Sequence, residues 1–279
     1  MIAVSNYGAG GGTSAPFFVA MLLTIDVGNT NTTFALFDGD SLAADWRVST
    51  VHHRTADEYA AIMRVLMEEE RLRFDQVSEV AISCVVPPAL ESLLRFASKH
   101  LRVNHPTVLS PEIDLGIKVR YVPVTDVGAD RLANAIAAHA KYSGKVIVVD
   151  FGTATTLDAV SADGEYLGGA IMPGIQISMD ALFRHASRLM GVSLTTPSAA
   201  IGTTTTGSLQ SGLVFGFAGQ VDALVDRFQD EMGGGAKVVA TGGLADVIAR
   251  ESRTIELCDP LLTLEGLKMV HRIATEQRK

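Results

Sequence analysis

Residues 22–33 read LLTIDVGNTNTT, and residues 146–156 read VIVVDFGTATT. In each stretch an apolar run ends in an aspartate, which is followed by one further residue, a glycine and then small hydroxyl or amide residues. A second apolar run follows in each copy and ends in a turn, at Asp38-Gly39 and at Asp163-Gly164. The repeated pattern predicts two strand–turn–strand hairpins of one design, one in each half of the chain.

The turn of each hairpin has the composition of a phosphate-binding loop. Gly28 and Gly152 have no Cβ, so the backbone can approach a ligand closely. Amide and hydroxyl groups can donate hydrogen bonds to phosphate oxygens, and Asp26 or Asp150 can hold a cation or its water shell. An ordinary hairpin turn would explain a single copy equally well, because Asp, Asn and Gly are turn formers. The repetition favours two loops that hold the phosphates of one nucleotide from opposite sides.

Composition and charge limit the class of protein and its partners. The chain has 279 residues, of which 47% are hydrophobic, and this is enough to bury a core in one large domain or two small ones. The net charge of −8 provides no basic field, so we expect neither nucleic acid nor a membrane as a partner. Cys84 and Cys258 stand in unrelated contexts without metal-ligand spacing, which predicts reduced cysteines in a cytoplasmic protein.

The first 20 residues differ in composition from the rest of the chain. A run of Gly, Ser, Thr and Ala occupies residues 8–14, and no Lys or Arg precedes Met21. The apolar stretch at 17–25 is too short to span a bilayer, and it continues into the first hairpin instead of a cleavage site. We expect residues 1–20 to be a disordered extension, or an upstream start assigned to a protein that begins at Met21.

Strands alternate with helices along the chain, which predicts an α/β fold. Strands are expected at 22–26, 33–38, 44–49, 80–86, 108–109, 146–150, 156–160, 167–172 and 238–240. Helices are expected at 56–72, 88–101, 129–142, 174–189, 207–231, 262–277 and from about 245. We place a seam near residues 140–145 and divide the chain into halves 21–143 and 144–279. A nucleotide would lie in the cleft between them.

The ordered set of motifs resembles the acetate and sugar kinase/heat-shock chaperone/actin superfamily and, within it, the type III pantothenate kinases. The resemblance covers Met21 to about Arg272 and rests on residues 26–31, 83–88, 121, 128–131, 150–155, 168–174, 202, 205, 210–212 and 259–267. It implies two similar ribonuclease-H-like (actin-like ATPase) halves with a nucleotide cleft between them. It also implies ATP-dependent phosphorylation of pantothenate to 4′-phosphopantothenate, the first step of coenzyme A biosynthesis, by a homodimer.

The resemblance assigns ATP and its cations to the two loops. ATP would be bound by Asp26, Val27, Gly28, Asn29, Thr30, Asn31, Thr32, Thr33 and Thr153, with Asp26 helping to hold magnesium. Asp150 would bind a monovalent cation, potassium or ammonium. The family often has a basic residue near the end of the first loop, where this chain has Thr33. Residues 241–243 resemble the adenosine-side loop, although a plain strand–helix turn would look the same.

Asp130 is the candidate general base. Phosphoryl transfer to a primary alcohol needs a group that orients the hydroxyl and accepts its proton, and carboxylates perform this role in kinases. Gly128 would give a close approach at the start of the helix, and Asp130 falls in the first turn. From these residues alone, Asp130 could equally be an acidic residue favoured at a helix start by the macrodipole. The family resemblance favours the base.

The same resemblance assigns the acceptor pocket to Tyr121, Gly128, Ala129, Asp130, Arg131 and Thr205. The guanidinium of Arg131 could pair with the carboxylate of pantothenate, and the alternative is a surface arginine. Tyr121 could instead be a half-buried aromatic residue of a strand. Thr205 would contact the acceptor, across a dimer interface. The family usually has Lys-Asn before this threonine, where this chain has Thr203-Thr204, so its register within residues 203–206 stays open.

Two other functions use the same hairpins. One is a nucleotide-binding switch or assembly protein of the actin and chaperone type, which the short length of the two halves disfavours. The other is a kinase or phosphohydrolase of the superfamily with a different substrate, which only residues on the acceptor side distinguish.

Overall fold

The computed structural model describes residues 20–110, 115–185 and 191–277. Within them the chain forms two mixed five-stranded sheets with helices packed around them. Apart from Ala20, the predicted N-terminal extension lies outside the described residues. No helix in the described ranges is both long enough and apolar enough to cross a membrane.

The first sheet begins with the first hairpin. Its strands are β1 (Met21–Val27), β2 (Asn31–Asp38), β3 (Ser41–Ser49), β4 (Val77–Cys84) and β5 (Thr107–Val108). Their order is β3-β2-β1-β4-β5, in which β1 to β3 form an antiparallel meander and β4 and β5 run parallel to β1. The central strand β1 is buried on both faces, which explains its nearly continuous apolar sequence.

The second sheet repeats this arrangement. Its strands are β6 (Val146–Phe151), β7 (Ala154–Val160), β8 (Tyr166–Pro173), β9 (Lys237–Thr241) and β10 (Leu257–Cys258). Their order is β10-β9-β6-β7-β8. Read from β8 to β10, with β6 counted as the first strand of its half, this is the order 3-2-1-4-5 of the first sheet. The predicted α/β class with two similar halves is confirmed.

Seven α-helices lie within the described ranges. They are α1 (Ala56–Glu69), α2 (Pro87–Phe96), α3 (Ala129–Lys141), α4 (Ile175–His185), α5 (Thr205–Met232), α6 (Ala245–Ala249) and α7 (Leu262–Glu276). Local sequence explains several of their ends. Thr55 and Glu58 form a capping box at the start of α1, and Gly233, with φ of 73°, ends α5.

Helices α3 and α7 occupy the space between the two sheets. Their apolar side chains form one cluster with Leu22 and Ala81 of the first sheet and Val146 and Val239 of the second. Helix α7 also contacts β1 and β4, although the predicted division assigns it to the second half. The division into residues 21–143 and 144–279 therefore stays a prediction, because the two helices are shared by both sheets.

The element boundaries differ from the prediction in a few places. Strand β10 was not predicted, because two residues carry no readable periodicity. Helix α5 begins at Thr205 and not at Gly207, since the side chain of Thr204 accepts a hydrogen bond from the amide of Gly207 and caps the helix. The predicted end of the fourth helix, at 186–189, lies outside the described residues.

Candidate active site

The two hairpin turns meet between the sheets. The hydroxyl oxygens of Thr30 and Thr153 lie 2.8 Å apart and share a hydrogen bond, although the residues are 123 positions apart in the sequence. Asp26 lies near the end of β1 and Asp150 near the end of β6, so each carboxylate stands at the base of its own turn. The two predicted phosphate loops therefore face each other.

Asp26 is a half-buried residue whose carboxylate has incomplete hydrogen bonding. Its Oδ1 is buried and has no hydrogen-bond partner among the described residues. Burial raises the pKa of Asp26 to about 7, with further contributions from the negative charges of Asp130 and Asp150, while the neighbouring Ser83 hydroxyl partly offsets them. This carboxylate would be stabilised by a cation.

Asp150 is held more firmly than Asp26. Burial raises the pKa of Asp150 to about 7, and the charges of Asp130 and Asp158 add to the effect. Its Oδ2 accepts a 3.2 Å hydrogen bond from the side-chain amide of Asn134 on α3. Asn134 is fully buried, and its Oδ1 accepts a 2.7 Å hydrogen bond from the hydroxyl of Thr263 on α7. The shared helices thus orient the carboxylate of the second hairpin.

The loop after β9 closes over Asp150. Gly242 has φ of 93°, and a Cβ at this position would lie 2.5 Å from Oδ1 of Asp150. Only glycine satisfies both the backbone conformation and the close approach. The predicted adenosine-side loop therefore lies directly against the second carboxylate.

Asp130 is in the first turn of α3, as predicted. Its Oδ1 accepts a 2.8 Å hydrogen bond from the amide of Arg131, and a Cβ on Gly128 would lie 2.5 Å from the same oxygen. Burial raises the pKa of Asp130, while the amide and the charge of Arg131 oppose the shift. The negative charge of Asp130 raises the pKa of both Asp26 and Asp150, so Asp130 acts electrostatically on the carboxylates of both hairpins.

Arg131 is buried, so the alternative of a surface arginine is wrong. Its Nε donates a 2.8 Å hydrogen bond to Oδ1 of Asp158, and its guanidinium carbon lies 5.9 Å from the ring centre of Tyr166. The hydroxyl of Tyr166 donates to the same Asp158 oxygen at 2.7 Å. Nη2 forms an ion pair with the same oxygen at 2.7 Å. The guanidinium is therefore fixed from one side and keeps a donor for another partner.

Of the other predicted acceptor residues, Tyr121 lies near Arg131 and Tyr166, whereas Thr205 is on the surface. Tyr121 lies in a loop beside Tyr166, with ring centres 6.4 Å apart, and so is not in a strand. A Cβ on Gly169 would lie 2.6 Å from Nη2 of Arg131, so this glycine gives the guanidinium its room. Thr205 is exposed at the start of α5, and no hydrogen bond within the described residues connects it to the carboxylates.

Residues of the first loop have different surroundings. The side chains of Val27 and Thr32 are buried, and the Thr32 hydroxyl lies 2.9 Å from that of Thr50. The Thr50 hydroxyl in turn donates to the carbonyl of Gly28 at 2.8 Å, which holds the turn. Residues 29–31 are exposed at its tip. Thr32 thus supports the loop, whereas the tip is accessible to a ligand.

Comparisons with known proteins bear on these observations. The model of the type III pantothenate kinase family matches residues 22–227. The type III pantothenate kinase of Syntrophus aciditrophicus (strain SB) is 47% identical over 252 residues, which are 90% of this chain and 99% of that protein. The chain belongs to the type III pantothenate kinase family. The family member of Anaeromyxobacter sp. (strain Fw109-5) is 50% identical over 251 residues, with 90% of this chain and 98% of that protein covered.

Family membership establishes the class of reaction. The protein is a pantothenate kinase, an ATP-binding phosphotransferase of coenzyme A biosynthesis. The alternative of a nucleotide-dependent switch or assembly protein is therefore wrong. The activator of the 2-hydroxyisocaproyl-CoA dehydratase from Clostridium difficile, solved with bound ADPNP, has a TM-score of 0.55 at 12% identity. The alignment covers 92% of this chain and 97% of that one, and it confirms the predicted actin-like ATPase fold.

The residues of this pantothenate kinase fit the implied cations. Within the described ranges no three His, Cys, Asp or Glu side chains are grouped to hold a metal ion. Magnesium that arrives with a nucleotide obtains most of its ligands from phosphates and water, so one or two protein carboxylates are sufficient. The unpartnered Oδ1 of Asp26 and the raised pKa values of Asp26 and Asp150 suit such a ligand.

Sequence reasoning missed three residues that shape this site. Asn134, Asp158 and Tyr166 are buried and hold Asp150 or Arg131 in place. A signal existed for two of them, because Asn134 interrupts an Ala-rich helix and Asp158 interrupts an apolar strand. A buried polar residue in an apolar run needs a partner, but the sequence does not say which one.

Proposed function

We propose that the protein transfers the γ-phosphoryl group of ATP to the terminal hydroxyl of pantothenate, with Asp130 as the general base. The hydroxyl oxygen forms a bond to the γ-phosphorus, the bond from that phosphorus to the bridging oxygen breaks, and ADP leaves. The hydroxyl proton passes to the Asp130 carboxylate. The products are 4′-phosphopantothenate and ADP.

One observation carries the assignment of the base. The negative charge of Asp130 raises the pKa of both Asp26 and Asp150, the two carboxylates at the base of the turns that meet through Thr30 and Thr153. Burial raises its pKa, which improves a carboxylate as a base near neutral pH. Its Oδ1 is engaged by the amide of Arg131, which leaves Oδ2 to meet the hydroxyl.

The nucleotide phosphates are proposed to lie between the two turns. Exposed groups at residues 29–31, together with Thr33 and Thr153, would donate hydrogen bonds to them. Asp26 would hold magnesium, and Asp150 would hold potassium or ammonium. When bound, these cations supply positive charge that offsets the charge of the transferred phosphoryl group.

The acceptor is proposed to lie beside Arg131 and Tyr121. Asp158 engages one side of the Arg131 guanidinium, and its remaining N–H donors would bind the carboxylate of pantothenate. The backbone at Gly128 and Ala129 would line the same pocket. Because Thr205 is exposed and has no hydrogen bond to its own chain's cluster within the described residues, we propose that it reaches the acceptor of a second subunit in a homodimer.

The reaction is proposed to take place in the cytoplasm. Both cysteines, Cys84 and Cys258, are free thiols, which fits a reducing compartment. ATP, the phosphoryl donor, is available there.

The Asp130→Asn variant tests the general base. Asparagine keeps the shape of the side chain but cannot accept the proton, so we expect turnover to fall by several powers of ten. ADP release would be measured with ATP, magnesium and pantothenate, in ammonium and in sodium. Product should form in the wild type only with pantothenate and the permissive cation.

Asp126→Asn is the matched control, because Asp126 is exposed four residues before Asp130. We expect this variant to keep wild-type turnover. Full turnover in Asp130→Asn would remove Asp130 from its role, and ADP release that is indifferent to pantothenate would remove the substrate.

A further inference from the structure

Arg47 lies in a row of side chains that crosses the first sheet beside the carboxylates. The strand register pairs Asp26 with Thr33 between β1 and β2, and Thr33 with Arg47 between β2 and β3. Directly paired residues of antiparallel strands project from the same face of the sheet. Trp46, the residue before Arg47, is buried in the cluster on the opposite face. Arg47 therefore projects from the face that carries Asp26.

The side chain of Arg47 also reaches the second half of the molecule. A Cβ on Gly243 would lie 2.8 Å from Nη1 of Arg47. Gly243 belongs to the loop after β9 whose neighbouring Gly242 packs against Asp150. Thus the guanidinium of Arg47 extends from the first sheet to a loop of the second. Glycine at position 243 leaves room for it, because a Cβ there would be too close to Nη1.

Electrostatic contacts place Arg47 close to both hairpins. Burial dominates the raised pKa values of Asp26 and Asp150, and the positive charge of Arg47 lowers both of them. Arg47 is exposed, and within the described ranges it has no hydrogen bond, ion pair or aromatic partner. By comparison, Arg131 is buried and paired with Asp158. A guanidinium without a side-chain partner, near the carboxylates of Asp26 and Asp150, retains all its donors for a ligand.

A triphosphate needs such a group here. The space between the turns is surrounded by the carboxylates of Asp26, Asp130 and Asp150, which repel an anionic ligand. The planar guanidinium fork binds two phosphate oxygens at once, which an ammonium group cannot do. We propose that Arg47 reaches from β3 across the cleft and binds the phosphates of the nucleotide against the loop at Gly243. The proposal rests on the proposed function for the identity of the nucleotide, ATP.

Nucleotide binding without pantothenate tests this role. Titration calorimetry would compare wild type, Arg47→Met and Arg47→Lys with a non-hydrolysable ATP analogue, ADP and adenosine, each with magnesium. Loss of a charge-assisted hydrogen-bonded pair corresponds to a Kd increase of roughly tenfold to a hundredfold. We expect this loss in Arg47→Met for the ATP analogue, a smaller loss for ADP and none for adenosine. Arg47→Lys should recover part of the affinity.

Moving the guanidinium from position 47 to position 33 tests whether Arg47 binds phosphate or only stabilises the fold. Thr33 and Arg47 are directly paired, so the double variant Thr33→Arg with Arg47→Thr returns a guanidinium to the same row. This variant should bind the ATP analogue more tightly than the single variant Arg47→Thr. Arg227→Met, the same loss of charge at an exposed arginine of α5, should leave the Kd unchanged.

Two results would overturn the proposal. One is a wild-type Kd for the ATP analogue in Arg47→Met, and the other is an equal loss for adenosine and the analogue, which would indicate stacking on the base. Thermal melting of each variant confirms that it is folded. Because binding is measured without the acceptor, a protein that binds ATP through Arg47 but does not phosphorylate pantothenate would refute the proposed function and leave this inference standing.

Discussion

At the residue scale, the site is marked by the interacting carboxylates of Asp26, Asp130 and Asp150. Asp26 and Asp150 are half-buried near the ends of β1 and β6, and the pKa of each is raised to about 7, first by burial and then by Asp130. An isolated aspartate has a pKa near 4. Such a cluster lowers the stability of the protein alone and favours the binding of cations, and active sites commonly accept this cost.

The raised pKa values predict how stability depends on pH. A carboxyl whose pKa is higher in the folded than in the unfolded state contributes stability below the unfolded value and loses it as pH rises through the folded value. Without ligand, the protein should therefore lose stability between about pH 4 and pH 7 through Asp26 and Asp150. Asp26→Asn removes one of these charges, so we expect it to be more stable than wild type by about 1–3 kcal/mol at pH 8.

Urea unfolding at pH 5 and pH 8 measures this difference. The gain of Asp26→Asn should be smaller at pH 5, where the wild-type carboxyl is largely protonated in the folded state. Asp38→Asn, at the exposed end of the same hairpin, should change stability little at either pH. An equal gain at both pH values would mean that the charge of Asp26 is not the cause.

At the element scale, the crossing of α3 and α7 sets the geometry of the second carboxylate. A Cβ on Gly266 of α7 would lie 2.1 Å from the carbonyl oxygen of Ala133 on α3, so the helices cross in close contact. Asn134, which follows Ala133 on α3, donates a hydrogen bond to Asp150 and accepts one from Thr263 of α7. A small residue at the crossing therefore determines the position of a side chain in the site.

Gly266→Ala should disturb both stability and the site. Since the extra methyl group must push the helix backbones apart, we expect a loss of about 1–3 kcal/mol in the free energy of unfolding. Displacement of Asn134 and Thr263 should also raise the concentration of ammonium or potassium required for half-maximal turnover. Urea unfolding and cation titrations of turnover are the measurements.

Gly219→Ala provides the control within another helix. A Cβ on Gly219 of α5 would meet nothing within 4 Å, and alanine is favoured over glycine in helices by roughly 0.5–1 kcal/mol. This variant should be as stable as wild type or more so. If Gly266→Ala also kept wild-type stability and cation dependence, the close crossing would not control the site.

The element scale also shows how far local sequence can be interpreted. The hairpins at β1–β2 and β6–β7 were predictable because each combines an apolar run, turn residues and a second apolar run within 20 residues. The start of α5 was predicted two residues late, because Thr204 could have been a cap or a ligand-binding threonine. The local sequence pattern predicts that a helix is present. The residue at which it begins depends on which side chain accepts a hydrogen bond from a free amide of the first turn.

At the scale of the whole molecule, one residue of the predicted acceptor site lies exposed on the surface of the chain. Thr205 is exposed at the start of α5 and is not hydrogen-bonded to the carboxylates within the described residues. Large apolar side chains are also exposed in this half, namely Ile171, Ile177, Leu182 and Ile201. Exposed apolar groups and an exposed residue of the predicted site both fit the proposed homodimer.

Mixed dimers test whether Thr205 acts across subunits. Thr205→Ala and Asp130→Asn should each be weakly active alone, because every site lacks one group. When the two variants are combined and reassociated, one site of each mixed dimer receives Asp130 from one chain and Thr205 from the other. We expect activity to recover towards about a quarter of the wild-type value, measured as ADP release that depends on pantothenate. This figure follows from random pairing, in which half of the dimers are mixed and each has one intact site.

Two controls complete this experiment. Asp130→Asn combined with Arg131→Met should show no recovery, because both residues belong to one side of the same chain's site. Sedimentation should show a dimer in each preparation. A monomer, or no recovery in the mixed dimers, would contradict the proposed contribution of Thr205 in trans.

The sequence by itself determined the repeated hairpins, the α/β class, the family and the positions of the three acidic residues, because these features depend on local patterns of apolar and turn residues. Only the tertiary structure decided which side chains meet. It buried Arg131 against Asp158, tied Asp150 to two helices that belong to neither sheet alone, and brought Arg47 beside the loop of the opposite half. The physical reason is distance along the chain. Thr30 and Thr153 are 123 residues apart, and their contact depends on how two complete sheets and the helices between them pack, which no short stretch of sequence encodes.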